Sequence, residues 1–167
     1  MVSYVYGMIN DDITVTLAVA DGSSVSPGTV VARIQGCTAD ILAGERVVLN
    51  FLQRMSGIAS RTREIVDMLA GSGITLLDTR KTVPGFRLLD KYSVATGGGK
   101  NHRMGLFDMV MIKDNHIDAA GSITRAVEKI RSLHGNTYRV EVETRNLEEV
   151  REAVEAGVDV IMFDNMD

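Results

Sequence analysis

Between Ile74 and Phe163 four short apolar runs are separated by loop and helical stretches, and every run ends in charge. The runs lie near residues 74–77, 109–112, 138–142 and 158–163. At about 4–6 residues each, they have the length of buried strands rather than of helices. Strands alternating with helices imply βα units in a parallel sheet or barrel. The C-terminal ends of such strands share one rim, and these folds bind their ligands there. Here the exits carry Arg80 and Lys81, then Lys113, then Glu143, then Asp164. One half of the expected rim is cationic and the other anionic. Cations suit carboxylates or phosphates, Arg through a bidentate fork and Lys as a point charge. The acidic half suits a divalent metal or sugar hydroxyls.

The cations do not reflect the chain as a whole, whose net charge is -4. That balance argues against a nucleic-acid surface. Between the first two exits lie Arg87, Lys91, Lys100, His102 and Arg103, arranged around Gly97-Gly98-Gly99. This local cluster predicts an anionic ligand. No apolar run approaches the roughly 20 residues of a membrane span. The single cysteine, Cys37, cannot form an internal disulfide, which points to a reduced, cytoplasmic setting.

Upstream, residues 1–43 read as β-rich. Ile13–Val19 and Thr29–Ile34 are expected strands of an antiparallel sheet, with turns at Asp21-Gly22 and Pro27-Gly28. Leu49, Leu52, Met55 and Ile58 then recur at helical spacing, and Gly57 predicts two helices or a kink. Downstream, Ser122 is an expected N-cap for a helix that Gly135 stops, and Asn146 to Glu149 resembles a capping box.

Plainer readings stand beside these. Arg46, Arg54, Arg61 and Arg63 read first as a solvated helix face. Glu143 and Asp164 could be solvated strand ends or salt-bridge partners of the lysines. Glu141 shares strand parity with Glu143 and could share its face. His102 could cap a helix, His116 could be a loop residue, and His134 reads as a helix C-terminal residue. The triple glycine could cradle phosphate or give flexibility.

Six motifs in order then carry a resemblance. They are Glu45–Asn50, Ser56–Ala59, Asp78–Gly85, Gly97–Arg103, Ile112–His116 and Phe163–Met166. Together they resemble the quinolinate phosphoribosyltransferases, and the Gly-Gly-Gly-Lys-Asn-His-Arg stretch favours that family over its molybdate-linked paralogue. The resemblance implies an α/β fold: a partial N-terminal sandwich domain (1–43), a helical connection (44–73) and the first four βα units of an incomplete, open parallel α/β barrel (74–167). The implied reaction joins quinolinate to phosphoribosyl pyrophosphate with Mg²⁺, giving nicotinate mononucleotide, pyrophosphate and CO₂ in NAD biosynthesis. It implies that Arg80, His102, Arg103 and Lys113 hold the quinolinate carboxylates, with Thr79 beside them. Arg46 is implied to reach the pocket from the neighbouring subunit of a homodimer or higher homo-oligomer. Lys81 is implied on the phosphates, and Glu143 and Asp164 on the ribose hydroxyls or the metal.

The family continues well past residue 167, so a fragment is expected here, one that binds quinolinate poorly and turns it over negligibly. Two alternatives remain at this stage. One is a paralogue acting on another anionic heterocycle such as nicotinate. The other is a non-catalytic module that keeps the dimer interface and an anion-binding patch.

Overall fold

A computed structural model describes residues 1–166; Asp167, the last residue of the expected barrel segment, lies outside the described residues. The chain divides into two compact units, Met1–His102 and Arg103–Asp167.

The first unit opens with a helix, α1 (Val2–Gly7), where the sequence reads as β-rich. Six residues are too few to be helical on propensity alone. Burial holds them instead: Val2 and Tyr6 enter a small core with Ile13 and Val48. Strands β1 (Thr14–Leu17) and β2 (Ala32–Gln35) form the expected antiparallel pair, with Thr14 opposite Gln35. Helix α2 (Thr38–Met68) then runs 31 residues through Gly57 without a break. The expected division into two helices does not occur, and a side chain at 57 would meet nothing within 4 Å, so no close contact requires glycine there. The glycine costs about 1 kcal/mol of propensity, and buried Val48 and Thr62 anchor the helix on either side.

Ile74–Leu77 is not the expected strand. It makes one parallel bridge, Leu77 to Lys100. The partner segment cannot extend the ladder, because the N–H groups of Gly97, Gly98 and Gly99 turn back to Ser93, Ala95 and Val94. The three glycines therefore close α3 (Arg87–Thr96), a helix not foreseen in the sequence. Gly97 lets that end rest on α2, since a Cβ there would lie 2.5 Å from the Ala59 carbonyl.

The second unit contains β3 (Val110–Ile112), α4 (Asp114–Ala120), α5 (Ile123–His134), β4 (Val140–Thr144), α6 (Leu147–Glu155) and β5 (Val160–Phe163). Its strands form an all-parallel sheet in the order β3-β4-β5. This is the expected alternating α/β pattern, and among the described residues the sheet stays open rather than closing as a barrel. Ile112, Ile117, Ile123, Val127, Val140 and Val142 form its core. Ser122 Oγ accepts from Arg125 N at 3.2 Å and Asn146 Oδ1 from Glu149 N at 2.9 Å, so both expected caps form. The capping box is only half made, because Glu149 turns its carboxylate to Arg145 instead. Among the described residues no helix is long and apolar enough to cross a membrane.

Candidate active site

In the first unit the site is built on Asp78. Its Oδ1 accepts from Lys91 Nζ at 2.5 Å and from His102 N at 2.8 Å. Lys91 Nζ also donates to the His102 carbonyl at 3.1 Å. With its amide oriented by the hydrogen-bonding network, Asn101 Nδ2 donates to Asp78 Oδ2 at 2.8 Å. Lys91 is 1% exposed. Such a charge is tolerated only when paired and fully hydrogen-bonded. Asp78 and Lys91 thus fasten the segment after Leu77 to the segment holding His102, gripping both backbone polar groups of His102.

The expectation that Lys91 belongs to a ligand-facing cation cluster is therefore overturned. Its charge is committed to Asp78. Arg87 is likewise turned inward: its Nε donates to Thr82 Oγ1 at 3.3 Å and its Nη2 to the Arg80 carbonyl at 3.4 Å. Arg54 leaves the solvated face expected of it and forks onto buried Asp90, at 3.0 and 2.8 Å. That hydrogen bonding raises the Arg54 pKa further against the smaller cost of desolvation. What remains at the surface is a cleft of about 190 Å³ lined by Thr79, Lys81, Thr82, Ile58 and Val94 over the Asp78–Lys91 pair. Thr79 Oγ1 accepts from Lys81 N at 3.0 Å, which shapes the turn carrying that lysine. Lys81 is exposed, Arg80 and His102 are half-buried, and Arg46 stands exposed on α2.

In the second unit three strand exits carry the remaining candidates. Val140 and Val142 face the helices, so alternation sends Glu141 and Glu143 to the opposite face. Met111 pairs in register with Glu141. One step beyond the paired Ile112 and Val142, Lys113 Nζ meets Glu143 Oε2 at 2.6 Å. Asp164, exposed at the end of β5, donates its N–H to the Thr144 carbonyl at 3.0 Å. Arg103 is 8% exposed; its Nη1 donates to the Met109 carbonyl at 3.1 Å and its Nη2 approaches Met111 Sδ at 3.3 Å. Glu141 shares the face of Glu143 but is 1% exposed, deep within it. The possible pair of rim glutamates is thus a buried one and a half-buried one.

The exit of β4 is braced. Arg145 donates to Glu149 at 2.8 and 2.5 Å and to Asp118 of α4 at 3.3 Å. The bond from Arg145 lowers the Glu149 pKa, with burial acting the other way. His116 is not a loop residue but lies in α4, and His134 ends α5 edge-on to Tyr138.

Two site features escaped the sequence. Asp78 stood out only as the first residue of the Asp78–Gly85 motif. In α3 the buried side is Asp90, Lys91 and Ser93 while Leu88 is exposed, so hydrophobic periodicity points the wrong way. The available signal was an acid and a base, Asp78 and Lys91, each set against leucine pairs.

No three His, Cys, Asp or Glu side chains among the described residues are placed to cage a metal ion. Half-buried Glu143 and exposed Asp164 fit a different mode. Mg²⁺ is commonly held through one or two carboxylates, with substrate phosphates and water completing the shell.

Comparison with known proteins agrees with this architecture. The family model described as quinolinate phosphoribosyl transferase, C-terminal domain, matches residues 58–167, and the N-terminal domain model matches 2–56. A probable nicotinate-nucleotide pyrophosphorylase [carboxylating] of Bacillus subtilis is 50% identical over 160 residues, covering 96% of this chain and 55% of that protein. A mitochondrial quinolinate phosphoribosyltransferase [decarboxylating] of Nicotiana glauca is 48% identical, covering 97% of this chain and 48% of that protein. Among solved structures, NadC from Streptococcus pyogenes superposes with a TM-score of 0.95 at 43% identity, covering 99% of this chain and 59% of its own. The nicotinate-nucleotide pyrophosphorylase from Francisella tularensis gives 0.96 at 42%, with the same coverage. The chain spans about half the length of the curated relatives it matches.

Proposed function

The chain belongs to the quinolinate phosphoribosyltransferase family, and on that premise we propose that the full-length protein transfers phosphoribosyl from phosphoribosyl pyrophosphate to quinolinate. The products are nicotinate mononucleotide, pyrophosphate and CO₂. The observation that carries this reading is the parallel sheet of the second unit, whose successive exits bear Lys113, Glu143 and Asp164, with Lys113 and Glu143 in contact at 2.6 Å. A cation for a carboxylate and two acids for a sugar are the groups this chemistry needs.

The roles follow from charge. Quinolinate is a dianion, and burying its carboxylates requires partners. Arg80, His102, Arg103 and Lys113 are assigned to them, with Thr79 beside Arg80. Lys81 is assigned to the phosphates. Lys113 already has an anionic partner, so an arriving carboxylate draws it from Glu143. Glu143 is then released toward the ribose hydroxyls together with Asp164.

The C1–O bond to pyrophosphate breaks with its electron pair leaving on oxygen, and C1 gains oxocarbenium character. Glu143 and Asp164 favour that positive charge. Mg²⁺ held by the same two carboxylates would neutralise the leaving pyrophosphate. The pyridine nitrogen closes the new bond to C1, and the ring becomes cationic. The adjacent carboxylate departs as CO₂, leaving its electron pair on the ring carbon beside the positive nitrogen, and that carbon takes a proton. No side-chain nucleophile is required. The residues contribute position and electrostatics.

Arg46 is assigned to the neighbouring subunit's pocket in a homodimer. Its exposure on α2 beside exposed Leu42 and Val47 supports a face met by a second copy. The lone cysteine supports a cytoplasmic setting.

Competition binding tests the substrate class. Quinolinate should displace bound ligand at concentrations at least about tenfold below those needed for nicotinate, because a monocarboxylate leaves part of the cation set unpaired. Equal potency would shift the reading to another heterocycle, and no binding of either would leave only a non-catalytic module.

A further inference from the structure

We infer that His116 is a positioning residue for Lys113, holding its backbone so that the ammonium presents correctly at the mouth of the sheet. The inference rests on the reading of Lys113 as a carboxylate-binding cation.

Lys113 is the N-cap of α4, with extended backbone at φ -121° and ψ 172°. Helix N-caps are normally held by their own side chains, as Ser122 and Asn146 are in α5 and α6. Lysine cannot do this. Its ammonium has donors only, and here it is engaged 2.6 Å from Glu143. The cap comes from the other direction. His116 Nδ1 accepts the Lys113 N–H at 3.0 Å. The Lys113 carbonyl accepts from His116 N at 2.8 Å and Ile117 N at 3.0 Å. His116 therefore engages both backbone polar groups of Lys113. This is the reciprocal arm of a capping box, with an imidazole where Glu or Gln normally reaches back. For Nδ1 to accept, the ring proton sits on Nε2, an assignment that follows from the partner.

The helix itself does not depend on this bond. Ile117 anchors α4 in the core at 6% exposure, and Gly121 closes it in the left-handed region at φ 88°. Arg145 ties Asp118 to the β4 exit at 3.3 Å. Removing the imidazole acceptor should leave α4 in place and loosen the residue before it, whose side chain meets the substrate.

The test uses the full-length protein and three variants. His116→Ala and His116→Phe remove the acceptor, the second keeping a ring. His116→Asn restores an acceptor, because asparagine Oδ1 takes the place of Nδ1. The expected result is a rise in KM for quinolinate of about fivefold in the Ala and Phe variants, the effect of one lost cap-type bond. Change in kcat should be below about twofold, with near wild-type KM in the Asn variant. Hydrogen exchange at the Lys113 amide should accelerate in Ala and Phe and stay slow in Asn. Unchanged exchange in the Ala variant, or a Phe variant with wild-type KM, overturns the inference. A wild-type protein inert toward quinolinate would instead defeat the functional reading, and Lys113 exchange would then decide the role of His116 alone.

Discussion

Lys113 and Glu143 define how individual residues are expected to work here. Their side chains are 43% and 17% exposed, so the pair is a partly solvated one whose exchange for a ligand carboxylate costs little. Glu143→Gln should leave quinolinate affinity equal or tighter while lowering kcat by at least about 100-fold, since the acid acts after Lys113 leaves it. Equilibrium binding and steady-state kinetics on the same preparation separate the two effects, and a variant that loses both together would contradict the exchange. Arg103 gives a second case. Buried and donating to the Met109 carbonyl, its guanidinium is fixed before any ligand arrives. Arg103→Lys keeps the charge and loses the fork, so quinolinate affinity should fall at least about tenfold. Wild-type affinity would remove Arg103 from the pocket. At this scale, charge type was legible in the sequence and commitment was not. Lys81, Lys91 and Lys113 look alike as letters; only the fold reveals that Lys91 is sealed against Asp78.

Among the elements, the parallel strands were readable because each is a short apolar run ending in charge, and the caps at Ser122 and Asn146 because their bonds are local. Helix α3 was not, since its buried stripe is polar and its selection is tertiary. The Asp78–Lys91 pair is what that stripe serves. Lys91→Met should destabilise the first unit by about 3–5 kcal/mol, because it strands a buried carboxylate. Denaturant unfolding measures this, and a near-neutral variant would show the pair to be dispensable. In the second unit, Glu152 caps α5 from α6 by accepting from Thr124 N and Oγ1 at 2.8 and 2.9 Å. The Thr124 backbone bond lowers its pKa below the ordinary 4.5, with burial opposing. Asp159 is lowered from 3.8 by the Val140 N–H and by Arg131, again against burial. A depressed folded value means the stabilisation is complete above the ordinary value and is lost as pH falls through the lower one. The melting temperature should therefore hold above about pH 5 and drop below about pH 4. Glu152→Gln should melt about 5 °C lower near neutrality and show a shallower acid limb. A parallel acid limb in that variant would refute the role of Glu152.

At the scale of the molecule, family membership was visible in six ordered motifs, and the matches to both family domains agree with it. The charge balance is informative in the same way. The chain has a net charge of -4, and of its cations Lys91 and Arg54 are committed to Asp78 and Asp90 while Lys113 meets Glu143 just past a strand end. A net negative chain suits a small dianionic ligand better than a polyanion. The proposed chemistry couples sugar transfer to loss of one carboxylate, and this coupling is what most separates it from its alternatives. With quinolinate labelled in the carboxylate next to the ring nitrogen, supplied with phosphoribosyl pyrophosphate and Mg²⁺, the full-length protein should release one labelled CO₂ for each nicotinate mononucleotide formed. Mononucleotide formed from nicotinate at equal rate without CO₂, or no CO₂ release at all, would contradict it.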